Sequence, residues 1–137
     1  MSDQAGIDGY QEPTSFDEMM GTEYVDSGQG WARLRMPVLQ RHIPASGIIQ
    51  GGIVMILADM TLTRAIQTLF PEGQPIVTVE LKMNFIAPAN KGELIAEGRV
   101  THKGGTLVVG DVKVTDGEGK LIAQGLGTWM MLNSRRG

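Results

Sequence analysis

The chain has 137 residues, of which 42% are hydrophobic and 20% charged. This describes one domain with a sizeable core, not a disordered segment. The net charge of −3 gives no reason to expect a nucleic-acid partner. The absence of cysteine removes disulfides, thiolate metal sites and a cysteine nucleophile, and suits a soluble cytoplasmic protein.

Residues 1–21 read as a polar tail, Met1 to Glu12, followed by a short helix at Phe16–Met20. Thr14 or Ser15 would cap that helix and Gly21 would end it. No basic leader with an apolar stretch is visible, so no signal peptide is expected. The compact domain is expected over residues 22–132 and a polar tail over 133–137. From Thr22 to Pro37 the chain reads as one extended segment, with Trp31, Arg33 and Arg35 alternating against Ala32, Leu34 and Met36. Val38 to Gly47 is a loop.

Gly51 to Phe70 is the strongest helix signal: no proline, a glycine pair at its start and Pro71-Glu72-Gly73 after it. Ile53 to Ala58 is apolar on every side, the pattern of a helix covered all round. The run contains Asp59, so no membrane span is expected. Ile76 to Phe85 then alternates Val77, Val79, Leu81, Met83 and Phe85 against Thr78, Glu80, Lys82 and Asn84. Three more strands follow, Glu93 to His102, Thr106 to Thr115 and Lys120 to Leu132. They are joined by Lys103-Gly104-Gly105 and by Asp116-Gly117-Glu118-Gly119. The order predicts an α+β fold in which one curved antiparallel sheet wraps a long helix. The wrap leaves one side of the helix for a second copy to cover.

Asp59 is a carboxylate in the middle of the most apolar helix. Buried, its pKa would rise unless a partner or water reached it; periodicity equally allows it the solvent edge. Thr63 and Gln67 follow at i+4 and i+8 on the same face, either as a wet edge, with Thr63 bonding back to a carbonyl, or as the wall of a polar pocket. Arg64 lies off that stripe and is expected in solvent. Gln50-Gly51-Gly52 opens the helix, where unpaired N–H groups and a partial positive charge can polarise a carbonyl. Gly51 and Asp59 are roughly 12 Å apart along the axis, too far to serve one substrate carbonyl. Two antiparallel copies of the helix would bring Gly51 of one near Asp59 of the other. No serine elbow and no metal-ligand spacing is present. His102 is expected to be exposed, and His42 is a weak candidate for lining a site.

The run Gly47-Ile48-Ile49-Gln50-Gly51-Gly52, then Leu57-Ala58-Asp59, Thr78 to Phe85 with Pro88-Ala89, Gly117 to Ala123 and Gly127-Thr128-Trp129-Met130 together resemble the hotdog-fold acyl-CoA thioesterases of the phenylacetate-degradation and 4-hydroxybenzoyl-CoA type. The resemblance covers about residues 22–132. It implies that Asp59 acts as nucleophile or general base on a thioester. Gly51 would donate its N–H to the carbonyl and Thr63 would help place water. The site would sit at the interface of a homodimer, which could pair further into a dimer of dimers. Gln50 would stand in the site beside them, and Gly52, Ser46, Met55 and Lys103 would line the substrate. Small or aromatic acyl groups are favoured. No metal and no cofactor are expected, coenzyme A entering only as part of the substrate. Two positions depart from the family: Gln50 stands where His is usual, and Pro44 where a polar side chain is common. A single lysine, Lys103, stands at the turn that often carries several charges facing the coenzyme A phosphates. The departures leave open a non-catalytic acyl-CoA-binding domain. An enoyl-CoA hydratase of the same fold would need a His partner, for which His42 is the candidate.

Overall fold

The computed structural model describes residues 16–133; the proposed caps Thr14 and Ser15, the tail Met1 to Glu12 and most of the second polar tail lie outside them. Helix α1 (Phe16–Met20) ends at Gly21, whose φ of 78° lets its N–H reach back to the Asp17 carbonyl at 2.8 Å. The segment expected as one extended run is a hairpin, β1 (Glu23–Gly28) and β2 (Trp31–Pro37), turned at Gly30 with φ 80°. The alternation read over β2 is real, with Ala32, Leu34 and Met36 buried. The reversal is masked in the sequence because Ser27-Gly28-Gln29-Gly30 sits inside a stretch whose flanks both read as strand.

Helix α2 (Gly51–Gln67) stops three residues earlier than expected. Thr68 ends it: its hydroxyl donates to the Ala65 carbonyl at 2.6 Å and accepts from the Gly30 N–H at 2.7 Å, which ties the helix end to the first hairpin. Four strands follow, β3 (Ile76–Phe85), β4 (Glu93–Lys103), β5 (Leu107–Asp116) and β6 (Leu121–Met131). The β5–β6 turn is built as its sequence suggests. Asp116 Oδ1 accepts from the Glu118 and Lys120 N–H groups, and Gly119 takes φ 88°. All six strands form one antiparallel sheet in the order β1-β2-β4-β5-β6-β3. This is the α+β hotdog architecture, a curved sheet around one long helix.

The core lies between α2 and the concave face of the sheet: Val54, Leu57, Ala58, Leu62, Ala65 and Ile66 from the helix meet Leu34, Met36, Leu94, Val112, Val114 and Trp129. Close approach needs glycine at two strand positions, since a Cβ on Gly98 or Gly110 would press on Leu62. The cover of α2 is incomplete within one chain. Ile53, Met55, Ile56 and Met60 are only partly buried, so the all-round burial predicted from Ile53 to Ala58 does not hold in a single copy.

The loop before α2 is pinned by His42, 2% exposed. Its Nδ1 accepts from the Leu39 N–H at 2.9 Å, which leaves the proton on Nε2 to donate to the Met20 carbonyl at 2.8 Å. His42 is thus a structural residue, with both ring nitrogens engaged away from α2. Burial lowers its pKa below the ordinary 6.5, against a smaller raising effect of the Met20 carbonyl. A histidine with a depressed folded pKa binds its proton more readily when unfolded, so it costs stability as pH falls through 6.5. Unfolding free energy measured in urea should therefore have no His42-dependent slope above about pH 7. It should decline as pH falls below about 6.5, by at most ~1.4 kcal/mol per pH unit, and the His42→Gln variant should lack that component.

Candidate functional site

The proposed site residues fall in three groups along α2. At its start, Gln50 is the N-cap residue and makes no side-chain capping bond; its N–H donates to the His42 carbonyl at 3.1 Å. The first N–H groups of a helix have no carbonyl within it to bond, and those of Gly51 and Gly52 are in this position. Gly51 lies against the Phe85 ring, with room for a Cβ at ordinary contact distance, and Gly52 faces open space. Beside Gly51 is an apolar cleft of about 290 Å³ lined by Ile48, Val54, Phe85, Ile86 and Pro88 among others. Ser46 is exposed in the preceding loop and Met55 is half-buried on the helix; neither lines this cleft.

The middle of the helix holds Asp59. The residue is half-buried, between the two positions its periodicity allowed, and it has a partner: the Thr78 hydroxyl donates to Asp59 Oδ1 at 2.6 Å. One carboxylate oxygen is thereby held by the sheet. Strict alternation puts Thr78 on the face opposite to Leu81, Met83 and Phe85. The pairing of β3 with β6 slips between Thr78 and Glu80, leaving Val79 as the extra residue of a bulge. Thr78 lies opposite the buried Trp129, so it shares the concave face with Leu81, Met83 and Phe85 on the far side of the bulge. Strict alternation misassigned it, and no residue in the sequence marks a bulge at Val79.

Thr63 accepts a hydrogen bond from the Trp129 indole N–H at 3.0 Å and keeps its own proton to donate. The back-bond to a helix carbonyl considered for Thr63 is made instead by Thr61, to Leu57 at 2.7 Å. Asp59, Thr63 and Gln67 do share one polar cavity of about 270 Å³, which is lined as well by Asp17 of α1, Leu34, Met60 and Arg64. Arg64, expected in solvent, packs over the Tyr24 ring with 5.3 Å to its centroid.

The third group lies at the end of α2, where Lys103 Nζ sits 5.0 Å from the centre of the Phe70 ring. One chain therefore does not bring Lys103, Asp59 and Gly51 to a single point. His102 is exposed. No cluster of three or more His, Cys, Asp or Glu residues able to hold a metal occurs among the described residues. No helix there is long and apolar enough to cross a membrane.

The Thioesterase superfamily profile matches residues 46–123, from the loop before α2 into β6. Human acyl-coenzyme A thioesterase 13 is 32% identical over 114 residues, 81% of each chain. The structure of the conserved protein PA5202 from Pseudomonas aeruginosa superposes with a TM-score of 0.82 at 31% identity, covering 88% of this chain and 95% of that one. A thioesterase protein of Streptococcus pneumoniae solved with coenzyme A shares the fold at a TM-score of 0.76 and 22% identity, over 82% of this chain and 86% of that one. The chain belongs to the thioesterase superfamily, and its chemistry is thioester hydrolysis.

A hydrogen bond to a charged group is worth about 1.5–3 kcal/mol, so loss of the Thr78 hydroxyl should be felt at Asp59. Thr78→Val should lower kcat for thioester hydrolysis about tenfold or more with little change in KM, and Thr78→Ser should restore most of it. Equal kcat in Thr78→Val and wild type would show that the bond does not position the carboxylate.

Proposed function

We propose that the protein hydrolyses the thioester of an acyl-CoA, small or aromatic acyl groups being favoured, at a site shared between two copies of the chain. The observation that carries this reading is the Asp59–Thr78 hydrogen bond at 2.6 Å, which orients a half-buried carboxylate in the family's domain at mid-helix. The names of the relatives, an acyl-CoA thioesterase and a thioesterase solved with coenzyme A, support coenzyme A as the thiol.

In this mechanism Asp59 acts in one of two ways. As general base it takes a proton from water while the water oxygen bonds the carbonyl carbon. As nucleophile it bonds that carbon itself, and water later cleaves the anhydride. In either case the C–S bond breaks, coenzyme A leaves as the thiolate and is protonated, and the free acid is released. Negative charge building on the carbonyl oxygen needs a donor. The N–H of Gly51 suits that role: it opens a helix and carries no side chain in the path of a ligand. Thr63, held by Trp129, has a free O–H with which to place water, and Gln50 stands beside the donor.

Because Gly51 and Asp59 are roughly 12 Å apart on one helix, the donor comes from a second copy. Strand β3 offers the means. It is an edge of the sheet, ten residues long, and Val79 and Phe85 on it are each 52% exposed. A long apolar edge of this kind is a template for another strand. Antiparallel pairing of two β3 strands, with Thr78 opposite the partner's Phe85, would set Asp59 beside the partner's Gly51, since Thr78 holds Asp59 and Phe85 covers Gly51. The same pairing would complete the cover of α2. Two such dimers can pair further through their outer sheet faces without altering this site.

Replacing Asp59 by Asn removes the basic oxygen and keeps the shape. Asp59→Asn should reduce kcat for a panel of acyl-CoA esters, read by free-thiol release, by at least about a hundredfold, with the dimer intact by light scattering. Turnover at the wild-type rate would remove Asp59 from the mechanism. A wild-type protein that binds acyl-CoA and never turns it over would favour the non-catalytic binding domain, the reading that Gln50 and Pro44 motivate.

A further inference from the structure

The seating of the Gly51 N–H depends on a buried side chain that the mechanism does not touch. That N–H belongs to the planar peptide joining Gly51 to Gln50. On the helix side the peptide is fixed by its own carbonyl, which accepts from the Ile53 N–H at 3.0 Å. On the other side the chain has two holds. The Ile49 N–H donates to the Ala89 carbonyl at 2.8 Å, and the Gln50 N–H donates to the His42 carbonyl at 3.1 Å. Between His42 and Ile49 the chain runs exposed from Pro44 to Ile48. The His42 carbonyl is therefore as steady as the rest of His42, whose ring is closed on both sides. Its Nδ1 accepts from the Leu39 N–H at 2.9 Å, three residues back, as the second half of a capping box does. Its Nε2 donates to the Met20 carbonyl at 2.8 Å.

We infer that His42 is a positioning residue for thioester hydrolysis, holding the Gly51 N–H at the angle the carbonyl oxygen needs. The inference rests on Gly51 as the oxyanion donor and deepens that reading. His42 also holds α1, whose Asp17 lines the Asp59 cavity, so its effect on the two halves of the site has to be weighed. Helix α1 has further holds. Arg41 Nε donates to the Met19 carbonyl at 2.8 Å, and Met20 is 3% exposed in the core. The acceptor of the Gln50 N–H is the His42 carbonyl itself. The effect of His42 therefore falls on the donor half. A displaced donor loses transition-state stabilisation, while ground-state binding through the rest of the substrate is kept.

His42→Leu removes both ring bonds and keeps an apolar side chain. It should lower kcat for acyl-CoA hydrolysis about tenfold or more, with KM within about twofold of wild type. In His42→Gln the amide reaches back to the Leu39 N–H as a glutamine at this capping position does, and most of the wild-type kcat should remain. Co-refolding then identifies the half of the site, with Gly51→Pro plus Asp59→Asn as the control that regains activity. Mixed with Asp59→Asn, His42→Leu leaves each mixed dimer one site with a sound donor and a base. Activity should rise toward about one quarter of the wild-type rate for random pairing. Mixed with Gly51→Pro, which lacks the N–H, it leaves no such site, and activity should stay at or below that of His42→Leu alone. The reverse pattern, a rise in both mixtures or in neither, or a wild-type kcat in His42→Leu overturns the proposal. If His42→Leu does not fold, His42→Phe, which keeps a ring without either bond, takes its place. If the control mixture stays inactive, the shared-site reading fails by itself, and the homodimers decide His42. A fall in kcat at steady KM that His42→Gln recovers supports the role, and a fall that it does not recover overturns it.

Discussion

A helix is a ruler. With about 1.5 Å of rise per residue, α2 holds its first N–H groups and its single carboxylate roughly 12 Å apart, and no side-chain motion closes that gap. Every other part of the site follows from this spacing. If Asp59 and the Gly51 N–H act on one carbonyl they come from two helices, and a fold with one long helix per chain supplies the second from another copy. The incomplete cover of Ile53, Met55, Ile56 and Met60 and the exposed apolar edge of β3 are consistent with that demand.

The bulge at Val79 matters for the same reason. Asp59 projects toward the sheet edge, where regular alternation would offer it an apolar wall and leave a carboxylate without a donor. One extra residue re-aims Thr78 inward and supplies the hydroxyl, while Leu81, Met83 and Phe85 stay on the concave face. Trp129 does a parallel service one strand away, filling the core and aiming its N–H at Thr63. The polar stripe of α2 is thus held from the sheet by residues that also belong to the packing.

Much of this was legible in the sequence because it rests on local chemistry. A long proline-free run with Pro71-Glu72-Gly73 after it located α2, alternation and turn residues located the last four strands, the glycine pair marked the helix start, and Asp116 with Gly119 defined the final turn. The first hairpin was missed because its turn lies within an unbroken strand-like stretch. The end of α2 was set too late because Thr68 stops the helix through a contact with Gly30, 38 residues away. Asp59 was found as a charge out of place. Thr78 was not, because a bulge is decided by pairing with β6, and pairing is invisible to a strand read alone. Lys103 was placed near the substrate by resemblance, yet within one chain it packs on Phe70.

The central claim, that Asp59 and Gly51 act together only across two chains, can be tested by mixing two inactive proteins. Gly51→Pro removes the N–H at the first helical position, where proline is tolerated, and Asp59→Asn removes the base. When the two variants are co-refolded, each mixed dimer contains one site with both residues intact and one with neither. Acyl-CoA hydrolysis should return on mixing, toward about one quarter of the wild-type rate for random pairing, although each variant alone is inactive. Mixed dimers that form and remain as inactive as their parents would contradict the shared site and place both groups in one chain.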